Sequence, residues 1–268
     1  MSDKLIVEIG QDLQSAGAVL YLEGKTDVPI LLGLLGASST GKTSRGVLYE
    51  GVLIREVGGS SAVEQRLKVA REAKIPGIFG VLDGDGRPLS ELIPEFDAPH
   101  AGPQFRWKGY CIENLLARAG WPEPWGARPD WRAVLADFAP YVAINRLGTE
   151  LRGSLQRLDL NGALDPNRMR RLDTREEFIA RLRAGQHELA GLEIEALFSR
   201  QVDGFMAALD TSLDDAHALL NGKWLVDFFA VRHTRQPQER CRSEWVESLR
   251  LSEGDPEIKA WWRRTFAR

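Results

Sequence analysis

From Ala16 to about Leu116, short apolar runs alternate with amphipathic stretches, a pattern that predicts βαβ units and a mostly parallel sheet flanked by helices. The first run, Ala18-Val19-Leu20-Tyr21-Leu22, ends at Glu23-Gly24 and reads as a buried strand. Thr26 or Asp27 can cap the helix that follows, Pro29 suits its first turn, and Ile30 to Leu32 with Leu34 and Leu35 supply its core face. Val52 to Val57 predicts a second strand, closed by Gly58-Gly59-Ser60-Ser61. A helix from about Ala62 to Lys74 then carries Val63, Leu67 and Ala70 at helical spacing. Ile78 to Leu82 predicts a third strand, and Asp83-Gly84-Asp85-Gly86 turns the chain sharply at its end.

Beyond Glu113 the pattern changes. Turn residues crowd Trp121-Pro122-Glu123-Pro124-Trp125-Gly126, and helical spacing dominates from Trp131 onward, which places a boundary near residues 117 to 130. Helices are expected over Glu176 to Ala184, Glu193 to Ala208, Leu213 to Asn221 and Trp224 to Arg232. The fold class is therefore α/β, with a mainly helical C-terminal region.

Composition changes this picture little. Hydrophobic residues make up 43% of the 268, enough for a proper core. No apolar run has the length of a membrane span, and the start lacks a signal-peptide pattern, so a cytoplasmic location without membrane contact is expected. Cys111 and Cys241 offer neither a disulfide framework nor a metal knuckle and read as buried free thiols. The net charge of -3 does not by itself announce a nucleic-acid binder. The clusters Arg168, Arg170, Arg171 and Trp261-Trp262-Arg263-Arg264 can bind phosphates or serve as solvated helix faces; the paired tryptophans are open to a dimer or partner surface or to the core.

The acidic residues are more informative. In an open parallel sheet, ligands bind outside the carboxyl ends of the strands. Glu23 ends the first predicted strand and Asp83 the third, so parallel strands bring both to one edge. Asp85 follows Asp83 across a glycine turn, and Asp27 lies one helical turn beyond Glu23. Four carboxylates in one small volume repel one another unless cations neutralise them, and oxygen ligands of this kind favour Mg²⁺ or Mn²⁺. Each residue also has a quieter use: Asp27 as a helix cap, Glu23 as a partner of Lys25 or an arginine, Asp83 and Asp85 as turn formers.

Tyr21-Leu22-Glu23-Gly24-Lys25-Thr26-Asp27 followed by Val81-Leu82-Asp83-Gly84-Asp85 resembles the TOPRIM domain of topoisomerases, bacterial primases and overcoming-lysogenization-defect (OLD) nucleases. Lys108-Gly109-Tyr110-Cys111-Ile112-Glu113-Asn114-Leu115-Leu116 resembles a stretch of the standalone DUF4435 branch near the OLD nucleases, with Leu115 where that branch has tyrosine. The resemblance covers about residues 16 to 116 and implies a Rossmann-like TOPRIM metal-binding domain within residues 1 to 116, while the helical spacing beyond it predicts a mainly helical region over residues 117 to 268. It also implies a Mg²⁺-dependent endonuclease acting on DNA or RNA, with Glu23, Asp27, Asp83 and Asp85 as metal ligands. Glu113 is added as a further ligand or an orienter of metal-bound water, against a capping or salt-bridging use. Lys223, in Asn221-Gly222-Lys223-Trp224-Leu225, is implied as a catalytic lysine beside the scissile phosphate, against a place at a helix entry. The resemblance further suggests an effector of antiviral defence controlled by a partner ATPase.

Two rival classes stand beside it. Gly36-Ala37-Ser38-Ser39-Thr40-Gly41-Lys42-Thr43 satisfies the P-loop pattern of an NTPase, but a helix is predicted before it and Ser44-Arg45-Gly46 interrupts any helix after it, so a loop is expected there. A noncatalytic regulatory or scaffold protein with structural carboxylates is the other. The roughly 150 residues beyond the α/β part leave little room for a strand-passage apparatus, and no primase-type zinc site is present in the sequence.

Overall fold

The computed structural model describes residues 2–97, 103–150, 193–229 and 237–266. In chain order the elements are α1 (Ser2–Gln14), β1 (Ala18–Leu22), α2 (Asp27–Leu34), β2 (Gly41–Lys42), β3 (Val47–Tyr49), β4 (Val52–Glu56), α3 (Ser60–Glu72), β5 (Ile78–Leu82), α4 (Leu89–Asp97), β6 (Gln104–Arg106), α5 (Ile112–Ala119), a 3₁₀ turn (Glu123–Trp125), α6 (Trp131–Glu150), α7 (Ile194–Thr211), α8 (Leu213–Leu219), α9 (Gly222–Phe229), α10 (Gln238–Leu251) and α11 (Pro256–Phe266). The expected helix at Glu176 to Ala184 and the cluster Arg168, Arg170, Arg171 lie outside the described residues.

The sheet has six strands in the order β2-β3-β4-β1-β5-β6. β1 is central and runs parallel to β4, with Val19 opposite Leu53 and Leu22 opposite Glu56, and parallel to β5, with Val19 opposite Ile78. β6 continues parallel to β5, whereas β2 and β3 are antiparallel additions beyond β4. The class is thus α/β with a mixed, mostly parallel sheet. Strands buried on both faces read as continuous apolar runs, which is why β1, β4 and β5 are plain in the sequence. β2, β3 and β6 span two or three residues each and have no run to read.

On one face, Val19, Tyr21, Leu53, Ile78 and Leu82 pack with Leu5 and Ile9 of α1 and with Val63, Leu67, Val69 and Ala70 of α3. Gly80 admits α3 closely, since a Cβ there would stand 2.6 Å from Val63 Cγ1. Leu20 and Leu22 alternate to the other face and are equally buried. Each such side chain contributes about 1.5–3 kcal/mol on leaving water. The buried carboxylate of Asp12 ties this layer together by accepting from the Tyr21 hydroxyl (2.8 Å), Arg45 Nη1 (2.7 Å) and Arg55 Nη1 (2.6 Å).

The compact units do not follow a cut between residues 116 and 117. Residues 1–128 and 221–268 form one unit, and residues 129–220 form another. The C-terminal helices return because their apolar faces fit the α/β layer. A Cβ at Gly33 of α2 would stand 2.9 Å from Val246 Cγ1 of α10, and Trp245 Nε1 donates to Gly120 O at 2.9 Å. Trp261 of α11 lies among Phe96, Phe105 and Trp107, with ring centroids 5.6, 5.3 and 5.7 Å away, and Trp262 Nε1 donates to Glu50 Oε2 at 2.8 Å. The tryptophan pair is core, not an exposed surface. In the second unit α6 packs on α7, Phe138, Phe198, Phe205 and Leu209 are buried, and Ser212 Oγ caps α8 by accepting from Asp215 N at 3.0 Å.

Cys111 and Cys241 are buried thiols that form no disulfide among the described residues. Among the described residues no helix is long and apolar enough to cross a membrane.

Candidate metal centre

The parallel pairing of β1 and β5 delivers Glu23 and Asp83 to one sheet edge, and a side chain then joins them: Glu23 Oε1 accepts from the backbone N–H of Asp83 at 2.7 Å. The carbonyl of Glu23 accepts from Gly58 N (3.0 Å) and Gly59 N (2.8 Å), which folds the start of α3 over the same edge. Burial pushes the Glu23 carboxyl up, against the pull of the Asp83 hydrogen bond; the charge of Asp85 raises it further and that of Lys223 opposes.

Asp27 is the first residue of α2, and Thr26 stands at the cap position without a capping side-chain bond. The Asp27 carboxylate instead turns back on its own loop, accepting from Gly24 N at 2.8 Å through Oδ2 and from Thr26 Oγ1 at 3.3 Å through Oδ1. Burial pushes it up to about 6; the Gly24 hydrogen bond lowers it, while the charges of Glu113 and Glu23 add to the rise. The helix-start use and membership of the acidic cluster therefore coexist in one side chain.

Asp83 is pushed up further than Asp27. Burial, opposed by the Lys223 charge and reinforced by Asp27, Glu23 and Glu113, pushes it up to about 8. Its Oδ1 is buried without a hydrogen-bond partner, and its Oδ2 lies 3.8 Å from Lys223 Nζ. Arg106 Nη1 donates to the Asp83 carbonyl at 2.7 Å. Asp85, two residues on, is exposed with φ of 52°, and its N–H donates to Tyr110 O at 3.0 Å. A Cβ at Gly84 would collide with the carbonyl oxygen of Gly109, so only glycine lets the acidic turn lie against the 109–110 loop.

Glu113 belongs to the first turn of α5, where Asn114 Oδ1 accepts from Cys111 N at 3.0 Å and fills the capping role. Glu113 is fully buried, and neither carboxylate oxygen has a hydrogen-bond partner among the described residues. The nearest cation is Arg242 of α10, whose Nη2 lies 3.9 Å from Glu113 Oε1. The Glu113 charge is felt at both Asp27 and Asp83. A Cβ at Gly222 would stand 2.6 Å from Asn114 N, so the start of α9 is pressed onto the first turn of α5. Asn221 Oδ1 accepts from Lys223 N at 3.0 Å and fixes that start. Lys223 is half-exposed, consistent with a helix entry; burial works against its charge, but Glu113, Cys111, Asp83 and Asp27 outweigh it and hold the ammonium above the usual lysine range.

Four segments separated in sequence thus converge on one edge: 23–27, 83–85, 110–113 and 221–223. Among the described residues no three acidic, histidine or cysteine side chains close on a single point tightly enough to enclose an ion as they stand. The chemistry of the donor set nonetheless suits a hard divalent cation. It is all carboxylate, it holds three buried oxygens with no donor, and its anionic forms are disfavoured where Asp27 and Asp83 are left with Lys223 as the nearby positive charge. Residue types and spacing did not reveal Arg106, Tyr110 or Arg242. Tyr110 lies within the motif around Glu113, whereas Arg242 has no local signal and is brought in by the return of α10.

The P-loop-like segment lacks the strand-to-helix turn that cradles phosphate. α2 precedes it, Gly41–Lys42 form β2 in an antiparallel ribbon with β3, and Lys42 is exposed. Gly36, with φ of 65°, is backed by Glu253, whose carbonyl oxygen would stand 2.6 Å from a Cβ there. The expected loop is in part an edge strand, because Thr43 turns the ribbon by accepting from Gly46 N at 3.0 Å. Compared with protein-family models, curated proteins and solved structures, the chain finds no match in any of the three.

Proposed function

We propose that the chain is a Mg²⁺- or Mn²⁺-dependent endonuclease of TOPRIM type, hydrolysing nucleic-acid phosphodiester bonds at Glu23, Asp27, Asp83, Asp85 and Glu113. One observation carries this reading. Asp83 Oδ1 and both oxygens of Glu113 are buried without hydrogen-bond donors, a costly arrangement that a bound cation would relieve. The chemistry a divalent cation supplies when bound to such oxygens is polarisation of a phosphate oxygen and acidification of water. The chain's own residues do the rest. Glu23 fixes the Asp83 backbone, Gly84 holds Asp85 at the exposed rim, and Lys223 keeps a positive charge beside Asp83 that stabilises charge developing on a phosphate. In the reaction a water oxygen bonds to phosphorus, the bond to one bridging oxygen breaks, and the departing oxygen ends protonated.

The same resemblance carries two further proposals: that the substrate is DNA or RNA, and that the activity serves antiviral defence under a partner ATPase. A cytoplasmic location is proposed from the lack of a signal-peptide pattern and membrane-length apolar run in the sequence, and homodimer formation from the helical C-terminal region.

A second reading draws on Lys223, which already lies near Asp83 and can serve as the cluster's permanent counter-ion in a noncatalytic scaffold. The decisive experiment is cleavage of a DNA and RNA panel with Mg²⁺ or Mn²⁺, with Asp83→Ala and with chelator. Cleavage lost in both supports the nuclease. Cleavage unchanged in both overturns it, and no cleavage together with no cation-induced rise in melting temperature favours the scaffold.

A further inference from the structure

Arg242 reaches the acidic edge from a helix whose position is set elsewhere. α10 is anchored by the buried Cys241, Trp245 and Leu249, and its approach is limited at Gly33 by Val246 and at Gly120 by Leu249 Cδ2, each 2.9 Å from where a Cβ would be. This packing leaves Arg242 Nη2 3.9 Å from Glu113 Oε1, beyond hydrogen-bond range. Arg242 Nε and both Glu113 oxygens are buried with no hydrogen-bond partner among the described residues. The pair is desolvated, with the arginine side chain 14% exposed and the glutamate 0%, but it lacks the hydrogen bonds that make a buried pair favourable. Arg242, together with the more distant charge of Lys223, thus balances the charge of Glu113 without donating to its oxygens.

We propose that Arg242 is the resident counter-ion of Glu113 and that it competes electrostatically with a divalent cation for that carboxylate, stabilising the cation-free protein and lowering its cation affinity. The proposal rests on the cation site described above and deepens it by naming a residue that sets how readily the site fills. Arg242 is a positioning residue, acting through Glu113. A cation drawn to Glu113 meets the guanidinium charge at close range, in surroundings of low polarity where such repulsion is strong. Without that guanidinium, Glu113 is a buried anion left with only the Lys223 charge to balance it in the empty protein, and a better ligand in the filled one. Stability and affinity therefore move in opposite directions, which loss of a merely structural contact does not produce.

The test is Mn²⁺ binding by calorimetry, with thermal melting in chelator, on the wild type, Arg242→Gln, Arg242→Lys, Glu113→Gln and the double variant Glu113→Gln/Arg242→Gln. Arg242→Gln is expected to melt lower than wild type in chelator and to bind Mn²⁺ tighter, by about threefold to tenfold. Arg242→Lys, which keeps the charge, should stay near wild type in both. On the Glu113→Gln background the Arg242 change should raise Mn²⁺ affinity clearly less than it does in the wild type, because the carboxylate for which the two cations compete has gone. If Arg242→Gln fails to fold, the double variant should fold, because it removes both charges. Failure of that rescue overturns the proposal, as does Mn²⁺ affinity that is unchanged or weaker in Arg242→Gln. Absence of Mn²⁺ binding by the wild type overturns the cation site itself, a separate outcome.

Discussion

The Glu23 carboxylate accepts the backbone N–H of Asp83 at 2.7 Å, so the ends of β1 and β5 are joined by a side chain where the strand ladder stops. This contact gives Glu23 a backbone-holding role that is separable from its charge. Glu23→Gln keeps an oxygen able to accept and should preserve stability while weakening the Mg²⁺- or Mn²⁺-induced rise in melting temperature. Glu23→Ala leaves the Asp83 N–H without its acceptor and should cost about 1–3 kcal/mol. Urea unfolding of the two variants, with and without cation, separates the roles; equal destabilisation by both would show that the hydrogen bond matters less than the charge.

Stability in chelator should fall as pH rises from about 4 to 8. Asp27 is pushed up to about 6 and Asp83 to about 8, both from 3.8, chiefly by burial. Across that window the folded state binds more protons than the unfolded chain, so raising the pH favours unfolding. Asp83→Asn should flatten the upper part of the decline, between about pH 6 and 8. Below the ordinary carboxylate range the sign reverses: burial raises Glu8 and Glu257, but the arginines bonded to Glu8 and the Lys108 and Arg118 partners of Glu257 outweigh it and hold both down. Their contribution is present above about pH 4.5 and lost in acid. Denaturant melts from pH 3 to 9 check both limbs, and a flat profile between pH 5 and 8 would contradict the burial of Asp83.

Much of this was legible because it depends on strings that local physics controls. Apolar runs fix β1, β4 and β5, and parallel strands put Glu23 and Asp83 at one edge. What the sequence hides is long-range. Residues 221–268 read as part of a separate helical region, since helical spacing shows which face is apolar but not what covers it. Trp245, Trp261 and Val246 find their cover on the α/β layer, and with that return come Lys223 and Arg242. β2 escaped notice for a different reason: its two residues, Gly41 and Lys42, are of types depleted in strands, and they pair because the ribbon turns at Thr43.

Two glycines should respond in opposite ways to alanine. A Cβ at Gly84 meets the Gly109 carbonyl and, at 2.9 Å, Leu92 Cδ1, so Gly84→Ala must push the acidic turn off the 109–110 loop. A cost of about 1–3 kcal/mol is expected, with loss of cation response. Gly10 lies within α1 with nothing inside 4 Å of its Cβ position, and Gly10→Ala should stabilise by about 0.5–1 kcal/mol with no effect at the site. Urea titrations with and without Mn²⁺ decide; a Gly84→Ala protein of full stability would mean that the turn is free to move.

Lys223 separates the nuclease from the scaffold. As a counter-ion it neutralises Asp83 from 3.8 Å, and as a catalytic group it stabilises charge on a phosphate from the same position. Replacing it with glutamine removes a positive charge from beside buried acids, so Lys223→Gln should melt lower in chelator under either reading. Mn²⁺ affinity should hold or rise, because a competing cation has gone. Cleavage is where the readings part. A catalytic Lys223 predicts a loss of roughly 100-fold or more in turnover at saturating Mn²⁺, whereas a pure counter-ion predicts turnover close to wild type once cation fills the site. Single-turnover cleavage of one susceptible nucleic acid across a Mn²⁺ titration makes the comparison, since saturation removes any difference in cation affinity and leaves the effect of the ammonium on the phosphate.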